Sequence, residues 1–412
     1  MNGSYGRVLR QPALRRILPG MLVSALGDGM SMVAVAWLAV QIAPAGQAGV
    51  WTGLAVAAYA LPATLGAALL ARFVRRFSGV RLVAVDASLR AVVLGTIAVL
   101  AVAGVLGPAL YVVLLAVSSL LHAWGNAGAY TMVAEVLPEE DQVTGNALVS
   151  TFTQAAVLVG PALGGLLLAA VSPGWVIAAD AVSFAVLAAV SWTLAPSSTA
   201  PAASRAAGAE PGGWRTLRSQ PKLLGLLAVT CVFFFLYGPV EVALPIHIAT
   251  EAHAPASLLG LYWTVFGVGC TVGGLAAGFL RNHPLWLVVI SIIVGWGLAL
   301  LPLGLTDSVT PGLIGMAIGG LIYGPFTAIC TALFQRLSPP SALSRVLAAR
   351  SALTIPSTAL GVLLGGPLVT AVGGRQTLLV SAILTIGFGV AVAVTLAIAH
   401  SVGQRRELAE AT

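Results

Sequence analysis

The sequence predicts an all-α membrane protein with twelve transmembrane helices arranged as two pseudo-symmetric six-helix bundles. Three observations carry this. Of 412 residues, 58% are apolar and only 8% charged, with a mean hydropathy of +0.99, whereas a soluble domain is roughly 45–50% apolar and about 25% charged. The apolar residues form continuous runs of roughly 20 or more, the length a helix needs to cross a hydrocarbon core of about 30 Å. A polar stretch divides these runs six and six, and the two sets repeat a glycine motif at a fixed offset.

The runs lie near 17–42, 48–71, 82–106, 108–134, 145–171 and 174–195, then 223–248, 257–280, 284–306, 309–334, 346–371 and 376–400. Their continuity excludes transmembrane strands, which alternate in polarity over roughly 9–11 residues. As helices they satisfy their own backbone groups, as the bilayer interior demands. The first run follows Arg7, Arg10, Arg15 and Arg16 in the manner of a secretory signal, but its length and the mid-run Asp28 mark it as a retained helix.

Residues 196–222 are rich in Ser, Ala, Pro and Gly and lose the hydrophobic pattern, which marks a linker. It separates an N-terminal bundle, 1–195, from a C-terminal bundle with a short tail, 223–412. Residues 160–165 (Gly-Pro-Ala-Leu-Gly-Gly) in the fifth run match residues 361–366 (Gly-Val-Leu-Leu-Gly-Gly) in the eleventh, 201 positions later. These motifs, like Gly269 with Gly273 and Gly315 with Gly319, have the small-xxx-small spacing that lets helix backbones touch. Two related halves put a substrate site near the midplane and let the halves rock about it.

Basic residues fall in alternate connections. Arg7, Arg10, Arg15 and Arg16 precede the first run, Arg72, Arg75, Arg76 and Arg81 follow the second, and Arg205, Arg215, Arg218 and Lys222 lie in the linker, while the opposite connections hold only Arg375. This asymmetry places both termini in the cytoplasm of a multi-pass cell (inner) membrane protein. It also accounts for the net charge of +7 without a nucleic-acid partner. Cys231, Cys270 and Cys330 are isolated within apolar runs and show no disulfide or zinc spacing.

A carboxylate at the bilayer centre costs roughly 2.5–3.5 kcal/mol, so each embedded acid needs a partner or a use. Asp28, in the middle of the first run between Gly27 and Gly29, is the first candidate for proton coupling. Glu241 is the second, lying between Pro239 and Pro245 where a broken helix can line a cavity. Asp86 and Arg90 are four residues apart, hence on one helix face and able to pair as a structural or gating charge couple. Asp180, near the outer start of the sixth run, is within reach of interfacial water. His122 is read as a packing histidine. Asn126, Tyr130, Gln154, Tyr237, Trp263 and Tyr323 supply the polar and aromatic groups of an apolar substrate pocket, with helix packing as the alternative for each.

No Gly-x-x-x-x-Gly-Lys-Ser/Thr loop, His-Glu-x-x-His site or Gly-x-Ser-x-Gly elbow occurs. Nucleotide-driven transport, a metal centre and a serine hydrolase therefore have no support, no cofactor is expected, and an ion gradient is left as the driving force.

The residues Leu26-Gly27-Asp28-Gly29, the pair Asp86 and Arg90, and Gly145-Asn146-Ala147-Leu148 leading to Gly160-Pro161 carry a resemblance. Along essentially its whole length the chain resembles the major facilitator superfamily, and more narrowly the bacterial drug:proton antiporters of the macrolide and tetracycline efflux type, with siderophore exporters as relatives. The resemblance implies a monomer that exchanges protons for an amphipathic, drug-like small molecule across the lipid bilayer by alternating access. It also implies a gating role for Arg72 and Arg75, although Ala71 stands where the family's loop motif has Asp. Asp86, or Glu135, Glu139, Glu140 and Asp141 after the fourth run, are the candidate replacement partners. A dedicated metabolite or siderophore exporter, and a non-transporting scaffold or receptor, are the alternatives.

Overall fold

The computed structural model describes residues 2–70, 77–195, 217–306, 308–339 and 342–410. A short helix, Asn2–Arg10, precedes twelve long helical segments. The N-terminal six are α1 (Pro12–Ile42), α2 (Ala48–Ala67), α3 (Gly79–Val102), α4 (Pro108–Val136), α5 (Glu139–Leu168) and α6 (Pro173–Leu194). The C-terminal six are α7 (Pro221–Ile246), α8 (Ala256–Ala276), α9 (Leu285–Leu305), α10 (Val309–Leu337), α11 (Leu343–Val372) and α12 (Gly374–Glu410). Eleven of the twelve are long and apolar enough to cross a membrane, and α5 carries its apolar part, Val159–Leu168, at its far end.

Local chemistry sets many of the helix starts. Pro12, Pro108, Pro173 and Pro221 open α1, α4, α6 and α7, at positions where a missing N–H leaves nothing unsatisfied. The Ser78 hydroxyl accepts from Arg81 N, and the Glu135 carboxylate accepts from Gly79 N, so two side chains cap α3. Glu251 does the same for α12, accepting from Gly374 N at 2.6 Å and Arg375 N at 2.9 Å. A turn at Leu61, ahead of Pro62, interrupts α2, and a turn at Leu120 interrupts α4. By contrast α7 runs unbroken through Pro239 to Ile246 and ends in a π turn, His247–Glu251. The expectation of broken backbone around Glu241 is therefore corrected: Glu241 sits on a regular helix.

The repeated glycine motif is a packing device used twice. In α5, Gly160 packs on Gly29 of α1 and Gly165 on Gly260 of α8; in α11, Gly361 packs on Gly238 of α7 and Gly366 on Gly49 of α2. The first contact of each set is within a bundle and the second between bundles, so the sequence echo is also an echo of contacts. A Cβ at Gly53 would fall 3.2 Å from Gly366 Cα, and one at Gly165 would fall 3.1 Å from Gly260 N, which is why these helices require glycine to meet. All these contacts between bundles lie at the membrane face opposite the two termini.

Two of the acids after α4, Asp141 and Glu135, have partners among the described residues. Arg7 of the short N-terminal helix forks onto Asp141, with Nη2 to Oδ1 at 2.7 Å and Nε to Oδ2 at 3.0 Å. That hydrogen-bonded guanidinium holds the Asp141 carboxyl below its ordinary value. Glu135 is committed to α3 as described. Arg72, Arg75 and the position of Ala71 lie outside the described residues, as does most of the 196–222 linker.

Candidate functional site

Asp28 is positioned by its two glycine neighbours, which face away from it. A Cβ at Gly27 would fall 2.9 Å from Ser183 Oγ of α6, and one at Gly29 would fall 2.6 Å from Ala156 O of α5. Those glycines let α5 and α6 close on α1, and Asp28 between them turns toward α2 and α3. There its Oδ1 lies 3.0 Å from Arg90 Nη1 and accepts a hydrogen bond from the Tyr59 hydroxyl. Arg90 is 1% exposed, and its guanidinium stands 4.7 Å from the Phe184 ring centre and 5.5 Å from that of Tyr59. A cation between aromatic faces and opposite a carboxylate has most of its hydration replaced.

This arrangement revises two expectations. Arg90 pairs with Asp28 across the bundle and not with Asp86 one turn below it. Asp86 is 7% exposed and its Oδ1 accepts no hydrogen bond from the described residues. Asp180 does not reach interfacial water: it is fully buried, and accepts from Ser31 Oγ at 2.6 Å and Ser183 Oγ at 3.3 Å. It thus ties α6 to α1 behind Asp28.

Asp28, Asp86 and Arg90 border a cavity of about 530 Å³ whose lining comes from α1 to α6. Asn126 and Tyr130 are in its lining, and so is His122, read from the sequence as a packing histidine, whose Nε2 is 3.1 Å from Asn126 Nδ2. Met21, Met32 and Phe152 make the wall largely apolar, and the volume is in the range that holds a small organic molecule, about 300–1,000 Å³. The side chain of Gln154 lies outside the described residues.

The other proposed pocket residues are elsewhere. Tyr237 and Trp263 are buried in the C-terminal bundle. Tyr237 stacks on Tyr323 at 5.8 Å and meets Trp296 at 5.7 Å, while Trp263 meets Phe266 edge-on at 5.8 Å. They form an aromatic core. Glu241, one turn beyond Tyr237, is half-buried and makes no ion pair or hydrogen bond with the described residues. Sequence reasoning missed Tyr59 and Phe184, which orient Asp28 and Arg90. A tyrosine within an otherwise apolar run was the only available signal.

Twelve helical segments in two related bundles, with a largely apolar cavity that carries a few charged groups inside one, define a multi-pass membrane transporter. The chain belongs to the Major Facilitator Superfamily, whose family model matches residues 17–246 and 237–411. It is 31% identical over 386 residues to the multidrug efflux pump Tap of Mycobacterium tuberculosis, covering 89% of each chain. It is 25% identical to macrolide efflux protein A of Streptococcus pyogenes, over 63% of this chain and 66% of that one. The fold is shared with the nucleoside transporter NupG, at a TM-score of 0.73 and 12% identity over 93% of this chain and 99% of that chain.

Proposed function

We propose that this chain is a proton-coupled antiporter that exports amphipathic drug-like compounds across the cell membrane by alternating access. The observation that carries the reading is the Asp28 carboxylate, held by Arg90 and Tyr59 in the wall of a largely apolar, ligand-sized cavity inside a membrane-spanning bundle. The similarity to multidrug efflux pump Tap supports export as the direction and drug-like molecules as the cargo.

Asp28 belongs to α1, while the groups that hold it come from α2 and α3. A proton arriving on Asp28 removes the charge that Arg90 faces and weakens the tie between α1 and α3. Proton loss restores it. Proton occupancy is thereby converted into a change in helix packing. With the termini in the cytoplasm, as the Arg distribution supports, the glycine contacts between α2 and α11 and between α5 and α8 close the outer face. The protein works as a monomer, each copy holding both bundles.

The test is uptake of a fluorescent amphipathic cation into inside-out vesicles energised with protons. Wild type accumulates the dye, and an uncoupler abolishes the accumulation. Equal dye uptake in wild-type and empty-vector vesicles would refute drug export.

A further inference from the structure

Three carboxylates surround one guanidinium in the N-terminal bundle, and they are not equivalent. Asp28 has Arg90 and Tyr59. Asp180 is sealed behind α1 and has two serine hydroxyls. Asp86 alone of the three has a buried oxygen without a hydrogen-bond donor, although it is 93% buried by its 7% exposure and lies in the wall of the cavity.

Arg90, one helical turn away, makes no hydrogen bond or close ion pair with Asp86, its guanidinium being held between the Phe184 and Tyr59 rings and against Asp28. On its other side the Asp86 carboxylate lies against Gly125 of α4. A Cβ there would fall 2.8 Å from Asp86 Cβ, so the space beside the carboxylate depends on glycine. A buried carboxylate without a hydrogen-bond donor is costly in a membrane protein, and protonation or a bound cation offsets that cost.

We propose that Asp86 is the contact for the positively charged head group of an amphipathic organic cation bound in this cavity. The assignment rests on the reading of the protein as a transporter of amphipathic compounds. Tyr130 and Phe152, in the same wall, are aromatic residues, whose rings attract organic cations. Met21 and Met32 supply adaptable, polarizable surface for the apolar body. Asp28 and Asp86 then divide the work, with the proton on the first and the substrate charge on the second.

The experiment uses the purified full chain in lipid nanodiscs and two fluorescent probes with the same dye and alkyl chain. One ends in trimethylammonium and the other in its neutral carbon isostere, tert-butyl. Wild type binds the cationic probe more tightly. Asp86→Asn weakens cationic binding about tenfold, the equivalent of about 1.4 kcal/mol, and erases the preference, whereas Asp86→Glu retains it. Retention of the preference in Asp86→Asn, or its absence in wild type, overturns the assignment.

A second measurement needs no variant. Carbodiimide labelling of Asp86 in wild type, read by peptide mass spectrometry, is suppressed by the cationic probe and not by the neutral one; equal labelling with both overturns the assignment. Transport separates this proposal from the reading beneath it. If neither probe moves in proton-energised vesicles while an Asp86-dependent preference is seen, drug export fails and the binding assignment stands. If both probes move without any charge preference, the assignment alone fails.

Discussion

The two bundles share a backbone plan and differ in what they bury. The N-terminal bundle encloses Asp28, Asp86, Arg90 and Asp180 beside a cavity, and the C-terminal bundle fills the corresponding interior with Phe233, Tyr237, Phe266, Trp296 and Tyr323. Yet both use the same glycine motif at the same two kinds of contact. The two halves thus share the way their helices meet and differ in the chemistry they enclose. A titratable, incompletely packed interior can change with proton occupancy, and a packed aromatic one resists deformation. In the function we propose, the N-terminal bundle is the coupling element and the C-terminal bundle the body it moves against.

Substitutions can break this comparison. The largest effect is expected from Trp296→Ala, which truncates a side chain 1% exposed at the centre of the aromatic core. It should cost about 3–5 kcal/mol, seen as a lower melting temperature in detergent. Arg90→Met comes next, because it leaves Asp28 facing no cation. Removing one member of a buried pair costs about 3 kcal/mol or more, and here proton-driven transport should be lost as well. A Trp296→Ala protein stable enough to assay should instead keep its coupling to protons. If the two variants had the same coupling defect, the division of labour would be wrong.

Smaller effects sharpen the comparison where the halves should agree. Glu135 and Glu251 cap α3 and α12, one in each bundle, through backbone amides. Glu135→Ala and Glu251→Ala should each cost about 1 kcal/mol, since capping depends on backbone geometry and not on the surrounding chemistry. The smallest effect belongs to Arg7 and Asp141. With the Asp141 carboxyl held below its ordinary value by Arg7, the stabilisation is present above the ordinary carboxylate range and is lost as pH falls through the lowered value. Melting of wild type and Arg7→Gln should differ slightly at neutral pH, less in high salt, and converge in acid.

The sequence made the helices legible because a run long enough to cross the bilayer is a local property. It exposed Asp28 because a charge in such a run is conspicuous. It could not show that Arg90 serves Asp28, since the two are distant in sequence and the one-turn spacing to Asp86 offered a nearer partner. Nor could residue type separate Tyr130, which faces the cavity, from Tyr237, which packs in a core; orientation about a helix that is apolar all round leaves no periodic trace. The embedding of Asp180 was hidden for the same reason.

In the proposed mechanism the exchanged proton resides on Asp28 of the N-terminal bundle rather than on Glu241 of the other. Its most direct test is proton release on adding substrate to the purified protein in weakly buffered detergent solution. The account predicts acidification by wild type and Glu241→Gln and none by Asp28→Asn. Acidification by Asp28→Asn with none from Glu241→Gln would contradict it.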